Sequence, residues 1–427
     1  MEFLAQELED VVIVGAGIAG LATAVALKRV GVRSVVLERS DELRTTGAAL
    51  SLFPNAWIAL EALGVAQKLT SIYHPFKRGY VTNLENGSVQ EVSFNRLLDE
   101  RNVKGARTVH RKALLETLAG ELTSDAIRYS TKLSSIETCT QGDSSMSILH
   151  MEDGSIIKAK VLIGCDGIHS AVASWLGLSE PVHSGRFAVR GLAVMPQGHG
   201  LNNEVHQFLH NGSRAGVTHL TDTEAYWFIT YPSTLSEEED MRTGDPTLVQ
   251  RKVLEKLANY PPMLLEYVQH SDLTTLSWAP LMLRLPWDLL FKNLTKGNVT
   301  VAGDALHPMT PDLGQGGCSS LEDAVILARH IGTSFLKHKK IVPIEMTEVL
   351  KLYVKERRWR AMALITGSYL SGRVQQGGSK WMMNFIRDKL FYRFLFRRIA
   401  DFINFDCGKL PCVNSSKEVD DDHNKIE

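Results

Sequence analysis

The sequence predicts an α/β protein: a parallel nucleotide-binding sheet flanked by helices, an antiparallel-sheet unit inserted into it, and helices towards the C-terminal end. Three observations predict it. The turn Gly15-Ala16-Gly17-Ile18-Ala19-Gly20 stands between an apolar run and a stretch of helix formers. From residue 187 to 231 the texture changes to short strands separated by Gly, Asn and Asp. A second motif, Gly303-Asp304, ends another apolar run and leads into Pro311-Asp312-Leu313-Gly314-Gln315-Gly316-Gly317.

Residues 10–14 are almost wholly Val and Ile, the composition of a parallel strand buried on both faces, and residues 18–30 form an unbroken helix. Between them Gly15 permits the turn and Gly17 lets the backbone approach a pyrophosphate. Gly20 lets helix and strand pack closely, leaving N–H groups and a positive dipole end for phosphates. A second strand over residues 34–37 ends in Glu38, eighteen residues past Gly20 and near the spacing of the acid that hydrogen-bonds an adenosine ribose. This is a Rossmann-like unit, and an acid at that point disfavours a 2′-phosphate. The motif does not separate FAD from NAD. The glycine-aspartate turn at Gly303-Asp304, with a glycine-rich helix start behind it, suits an isoalloxazine and its ribityl chain better than a nicotinamide.

Residues 106–120 read as a helix beginning near Val109-His110-Arg111, with Leu114, Leu115 and Leu118 on one face. Residues 159–164 read as a buried strand ending in Cys165-Asp166-Gly167-Ile168-His169-Ser170, at the carboxyl end of a parallel strand, where open α/β sheets place ligands. In the inserted unit, 204–208 and 225–230 read as strands of an antiparallel sheet that forms one wall of a pocket. Arg190, His206, His219 and Tyr226 lie on that sheet as pocket candidates, with the face each occupies left open. Residues 237–270 read as mostly helical, 274–285 as extended, and 299–302 as a last buried strand. The domains expected are a discontinuous cofactor domain (1–75, 105–180 and 281–340), a substrate sheet domain (76–104 and 181–280), a C-terminal helical region (341–412) and a disordered acidic tail (413–427).

A net charge of −1 and 44% hydrophobic residues in 427 describe an ordinary globular protein, with nothing to attract nucleic acid. Five cysteines without a CxxC pair argue for a reducing compartment and against a zinc site or disulfide framework. The first ten residues hold no Lys or Arg, the reverse of a secretory or transit leader, so a cytoplasmic location is expected and five Asn-x-Ser/Thr sequons are coincidental. The uncharged run 11–27 is explained by the strand and helix of the nucleotide unit rather than by a membrane span. Residues 381–403 are basic and aromatic; they suit either a helix packed on the body or a peripheral contact with an anionic membrane. Oligomeric state is not readable.

Three motifs taken together, Gly15 to Gly20 with Glu38, Asp166-Gly167 with Ser170, and Gly303-Asp304 through Gly317 with His307, Pro308, Pro311 and Gln315, carry a resemblance. Over about residues 10–375 the chain resembles single-component FAD-dependent aromatic hydroxylases of the para-hydroxybenzoate and salicylate hydroxylase type, most closely the plant monooxygenases similar to zeaxanthin epoxidase. The resemblance implies FAD, with NADPH or NADH as a transient co-substrate. It implies insertion of one atom of O2 into a small aromatic or prenyl-type substrate through a flavin C4a-hydroperoxide, in a site that excludes water.

By residue, the resemblance implies that Glu38 holds the adenosine ribose, Arg111 the diphosphate and ribityl region, and Asp304 a ribityl hydroxyl. Asp166 and Gly167 would serve both FAD and the incoming NAD(P)H. A helix starting near Gly314 would stabilise the reduced flavin with its N–H groups, with Gly314, Gly316 and Gly317 keeping the approach clear. One departure stands out: where the family usually has an arginine, three residues after Ser170, this chain has Ala173. His307, Pro308 and Pro311 are flavin-loop candidates. His307 is expected to shape the loop rather than to form an acid/base dyad with Asp304. No metal is implied. The other readings are a flavin reductase or dehydrogenase without productive oxygen use, and a non-catalytic flavin-binding regulatory protein.

Overall fold

A computed structural model describes residues 7–44, 47–94, 105–141, 144–232, 244–376 and 404–412; the acidic tail and the basic aromatic run 381–403 lie outside them. The chain opens with β1 (Glu7–Val14), α1 (Ile18–Arg29) and β2 (Ser34–Leu37), then β3 (Ala49–Leu52), α2 (Pro54–Ala62), α3 (Ala66–Thr70), β4 (Arg78–Asn83) and β5 (Val89–Ser93). Next come β6 (Arg107–His110), α4 (Arg111–Ala119), β7 (Ile127–Arg128), β8 (Leu133–Gln141), β9 (Ser144–Met151), β10 (Ile156–Gly164) and α5 (Ala171–Trp175). The inserted unit follows with β11 (Val182–Val194), β12 (Glu204–His210), β13 (Ser213–His219), β14 (Glu224–Pro232), α6 (Pro246–Lys256), α7 (Pro262–Gln269) and β15 (Ser277–Leu283). The chain returns through α8 (Pro286–Phe291), β16 (Thr295–Lys296) and β17 (Val299–Val301) to the long helices α9 (Gly316–His338) and α10 (Pro343–Gln375).

The first sheet has the order β16-β17-β10-β1-β2-β7, with β9 and β8 added antiparallel to β10. β1 pairs in parallel with both β10 and β2, and β10 with β17, so β1 is central. That position explains its composition: Val11, Val12 and Ile13 are fully buried, with no solvent face to ask for a polar residue. α1 is buried from Ala19 to Leu27, which is why its apolar run is not amphipathic. Each fully buried Leu or Val there contributes about 1.5–3 kcal/mol of burial free energy.

The second sheet has seven strands in the order β15-β11-β14-β13-β12-β4-β5. It is not wholly antiparallel as expected, because β4 and β12 run parallel. No hairpin joins those two strands, so nothing in the connection forces them antiparallel. One face of the sheet packs Phe187, Val189, Val217, Trp227 and Ile229 against Val253 of α6 and Leu264 of α7. The opposite face is turned towards the first sheet.

Other expectations need correction. Residues 106–120 open with a strand, because Arg107–His110 pairs with β3 and its first three residues are buried; the helix then starts at Arg111, within the expected Val109-His110-Arg111. The boundary placed at residue 280 cuts β15, which runs to Leu283 and pairs with β11. Residues 404–412 carry neither helix nor strand, so among the described residues the C-terminal region is helical only to Gln375. No described helix is long and apolar enough to cross a membrane.

Candidate active site

A cavity of about 1340 Å³ lies between the carboxyl ends of β1 and β10 and the free face of the second sheet. Its first wall is the phosphate turn. Gly15 has φ +102°, and a Cβ there would lie 2.6 Å from the carbonyl oxygen of Cys165. At Gly20 a Cβ would sit 1.9 Å from the Gly15 carbonyl, so this glycine serves packing and does not line the cavity. Gly17 differs, since a Cβ there would meet nothing within 4 Å and would enter the cavity itself. Glu38 anchors the turn: its carboxylate accepts the Ala16 N–H at 2.8 Å and the Ser40 N–H at 3.0 Å, which leaves lone pairs for a further hydroxyl. Arg111 faces the turn with its guanidinium donating to the Arg44 carbonyl at 2.8 Å. Burial and the neighbouring Arg44 charge lower its pKa, and Asp304 opposes them. Arg44, a second cation on this wall, carries no sequence motif and was not anticipated.

On the floor, Asp304, Pro308, Pro311, Gly314, Gly316 and Gly317 line the cavity. Burial raises the pKa of Asp304, against the pull of His307, Arg111 and Arg190. Gly314 adopts φ +64° and α9 therefore starts at Gly316, two residues later than expected. A Cβ at Gly314 would strike the Phe53 ring at 2.8 Å and one at Gly317 would strike Leu50 at 2.7 Å. These two glycines thus admit neighbouring side chains while also lining the cavity. Asp166 and Gly167 also line the cavity. Asp166 accepts from the Ser170 hydroxyl at 2.5 Å, and burial raises its pKa. Ala173 is buried, its N–H donating to Ser170 Oγ at 2.8 Å.

Three candidates stand behind the floor. Gly303 gives its N–H to Asp323 at 2.8 Å. Gln315 is fully buried and accepts from Asn55 at 2.9 Å. His307 is fully buried with Nε2 2.6 Å from Asp323 and does not line the cavity, so it is not a group at the flavin loop's open side. All three belong to a charge network no motif announced. Arg357 of α10 donates to Asp323 and Glu322 at 2.6 Å each, and Arg360 makes two 2.6 Å bonds to Glu322. Burial alone would raise the pKa of Asp323, but His307 and Arg357 override it and hold it down to about 2.

The roof is the second sheet, and strand register decides which candidates reach the cavity. Arg190 pairs with Phe228, Phe228 with Gly216 and Gly216 with Gln207, which puts their side-chain positions on one face. Tyr226 shares it, and Arg190, Tyr226, Phe228 and Gln207 line the cavity. His206 and His219 have the opposite parity and lie on the other face. His206 stacks on Tyr80 with ring centroids 5.1 Å apart, and His219 packs on His199 with a pKa lowered by burial. Arg214 was missed; it lies 3.7 Å from Asp312 and donates to Gln375 at 2.9 Å. Arg186 holds the same Asp312 with two bonds of 2.9 and 2.6 Å, tying the loop at Pro311 to the sheet. Burial raises the pKa of Tyr226 although Arg190 and Arg214 oppose it, so its phenol stays protonated at neutral pH and can donate.

A dinucleotide turn, a glycine-aspartate floor and a sheet roof around one cavity can be compared with known proteins. The model of the FAD binding domain family matches residues 9–368. The chain belongs to the FAD binding domain family. Monooxygenase 2 of Arabidopsis thaliana is 42% identical over 411 residues, covering 94% of this chain and 98% of that protein. The FAD-dependent urate hydroxylase of Klebsiella pneumoniae is 27% identical over 321 residues, 74% of this chain and 79% of that one. The solved Klebsiella pneumoniae HpxO, complexed with FAD and uric acid, superposes with a TM-score of 0.77 at 25% identity, covering 92% of this chain and 96% of that one. This member of the FAD binding domain family is an FAD-dependent monooxygenase, with the NAD(P)H co-substrate typical of the family.

Proposed function

We propose that this monooxygenase hydroxylates a planar aromatic compound that carries an acidic or ionised group. The observation that supports it is the convergence of two guanidiniums and a phenol, Arg190, Arg214 and Tyr226, on the cavity wall facing the glycine-aspartate floor. Phe228 supplies an aromatic face beside them, with the Arg214 guanidinium 5.3 Å from its ring centroid. Such a site orients an anionic ring: the arginines fix its charged edge, Tyr226 donates to it, and Phe228 stacks on it.

On the cofactor side, Glu38 takes the adenosine ribose, Arg44 and Arg111 the pyrophosphate over Gly15 and Gly17, and Asp304 a ribityl hydroxyl. The open space at Gly17 and the two cations beside it suit this assignment. FAD, reduced by NAD(P)H, supplies the activation of O2. The first turn of α9 has no side-chain cap, so its N–H groups are available to negative charge on the ring. Asp166 and Gly167 are the contact for the visiting nicotinamide. Five free cysteines suit a reducing compartment such as the cytoplasm.

The test is substrate-stimulated NAD(P)H oxidation under labelled O2. The expected product carries one labelled oxygen atom. NAD(P)H consumption that yields only hydrogen peroxide with every aromatic acid tried would overturn the aromatic-acid reading.

A further inference from the structure

We propose that the substrate carries a long apolar tail, seated across the outer strands of the second sheet. This inference rests on the aromatic-acid reading above and extends it. The pairing register puts Arg190, Phe228, Gly216, Gln207, Val81 and Gln90 in one row across six adjacent strands, from β11 to β5. Five strand spacings separate its ends, about 24 Å at roughly 4.8 Å each. The cavity follows this row to Gln90 at the sheet edge. A single aromatic ring covers less than two spacings, so a ring held at Arg190 and Phe228 leaves about three spacings, roughly 14 Å, to be filled by something else.

The chemistry of the row changes along its length. The charged and hydrogen-bonding groups Arg190, Arg214 and Tyr226 crowd the end near the floor. Beyond Gln207 the cavity-facing parity carries Val205, Val81, Val92 and Phe94 and ends at Gln90, while Tyr80, Glu91 and Ser93, of the opposite parity, also reach the cavity at the sheet edge. Phe94 lies against Gly79, where a Cβ would come within 2.9 Å of its ring, so the glycine seats the aromatic flat on the sheet. Among the described residues that line this end, the acid is Glu91, which pairs with Arg78 at 3.8 Å; both have the opposite parity to Val81 and Val92. A polar ring seat continuous with an apolar trough about 14 Å long takes an amphipathic molecule: an acidic aromatic head and an alkyl or isoprenoid tail of about ten carbons.

The experiment uses the FAD-loaded protein and the 5-alkylsalicylates from methyl to decyl, kept below their micelle concentrations, with salicylate as the tailless head. Binding is read from the perturbation of the flavin absorption spectrum. Affinity is expected to rise by roughly threefold to fourfold per added methylene until the trough is filled. Val81→Glu and Val205→Glu, at half-exposed positions and checked by thermal unfolding to be folded, should abolish the gain from the tail while leaving salicylate affinity unchanged. A flat series, a series that does not bind, or a gain that survives both variants overturns the inference. The two readings fail separately. Tail-dependent binding without oxygen incorporation leaves the tail seat standing and removes the reading of an aromatic acid as the hydroxylated substrate, whereas labelled product from salicylate with a flat series does the reverse.

Discussion

Asp304 and Asp323 are neighbouring carboxylates, the first open to the cavity and the second fully buried on α9 beneath the turn, and replacing each should have opposite signatures. Asp304 faces the cavity, and burial lifts its pKa against the pull of His307 and two arginines. The turn does not depend on it: the Gly303 N–H goes to Asp323, and the N–H groups of Leu306 and His307 go to the Gly303 carbonyl at 2.9 Å each. Asp304→Ala should therefore leave the melting temperature of the apoprotein unchanged. It should remove one charge-assisted bond to a ribityl hydroxyl, about 1.5–3 kcal/mol. That energy weakens FAD binding roughly ten- to a hundredfold. Asp323→Asn strips the charge from the partner of His307 and Arg357, each 2.6 Å away, and breaking such a buried pair costs about 3–5 kcal/mol of stability. The assay is FAD titration by flavin fluorescence, with thermal unfolding of both variants as apoprotein and at saturating FAD. If Asp304→Ala lowers apoprotein stability as much as Asp323→Asn and leaves FAD affinity intact, Asp304 is a turn-former and its cofactor role is wrong.

Gly17→Val should abolish FAD binding and spare apoprotein folding, because its side chain enters only the cavity; Gly20→Ala should destabilise the apoprotein itself, and circular dichroism with FAD titration separates the two. Arg357→Met leaves Glu322 and Asp323 under-compensated and should lower the urea midpoint of the apoprotein by an amount worth about 3–5 kcal/mol. Asp323 is held down to about 2, below its unfolded value, so its share of stability is complete above about pH 4 and is lost as pH falls towards 2. Urea midpoints measured between pH 5 and 3 should fall accordingly, and the slope should flatten in Asp323→Asn.

The strand-end turns around the cavity were legible because their backbone demands are local. Gly15 to Gly20, Glu38, Asp166-Gly167 and Gly303-Asp304 each sit where a strand ends, and backbone demands at a strand end are written in consecutive residues. The sheet roof was harder to read. Whether Arg190, His206, His219 or Tyr226 faces the cavity depends on strand pairing, and a shift of one residue reverses every answer. Arg214 and Arg44 were invisible for a related reason, since surface-type residues acquire their place only from partners far along the chain. The structural role expected of His307 agrees with its side chain turning back to Asp323, but which partner it shapes the loop through was not readable, since its neighbours in sequence, Asp304 and Pro308, line the cavity. The strand at Arg107–His110 was hidden in a helical pattern because its pairing with β3 is a tertiary contact that overrides local propensity.

The network under the floor also sets an order of events during synthesis. Strand β1 leaves the ribosome early, yet its neighbour β10 follows more than a hundred residues later, and the guanidiniums that Glu322 and Asp323 share arrive only when Arg357 and Arg360 of α10 have emerged, Asp323 until then having His307 alone among its described ion-pair partners. Tyr353, on the same helix, donates to the Val301 carbonyl at the end of the strand that feeds Gly303. A nascent chain that stops before α10 has every glycine of both fingerprints and still lacks the support that fixes the turn at Gly303. The support under the Gly303 turn is thus complete only when nearly all of the family's matched region has been made.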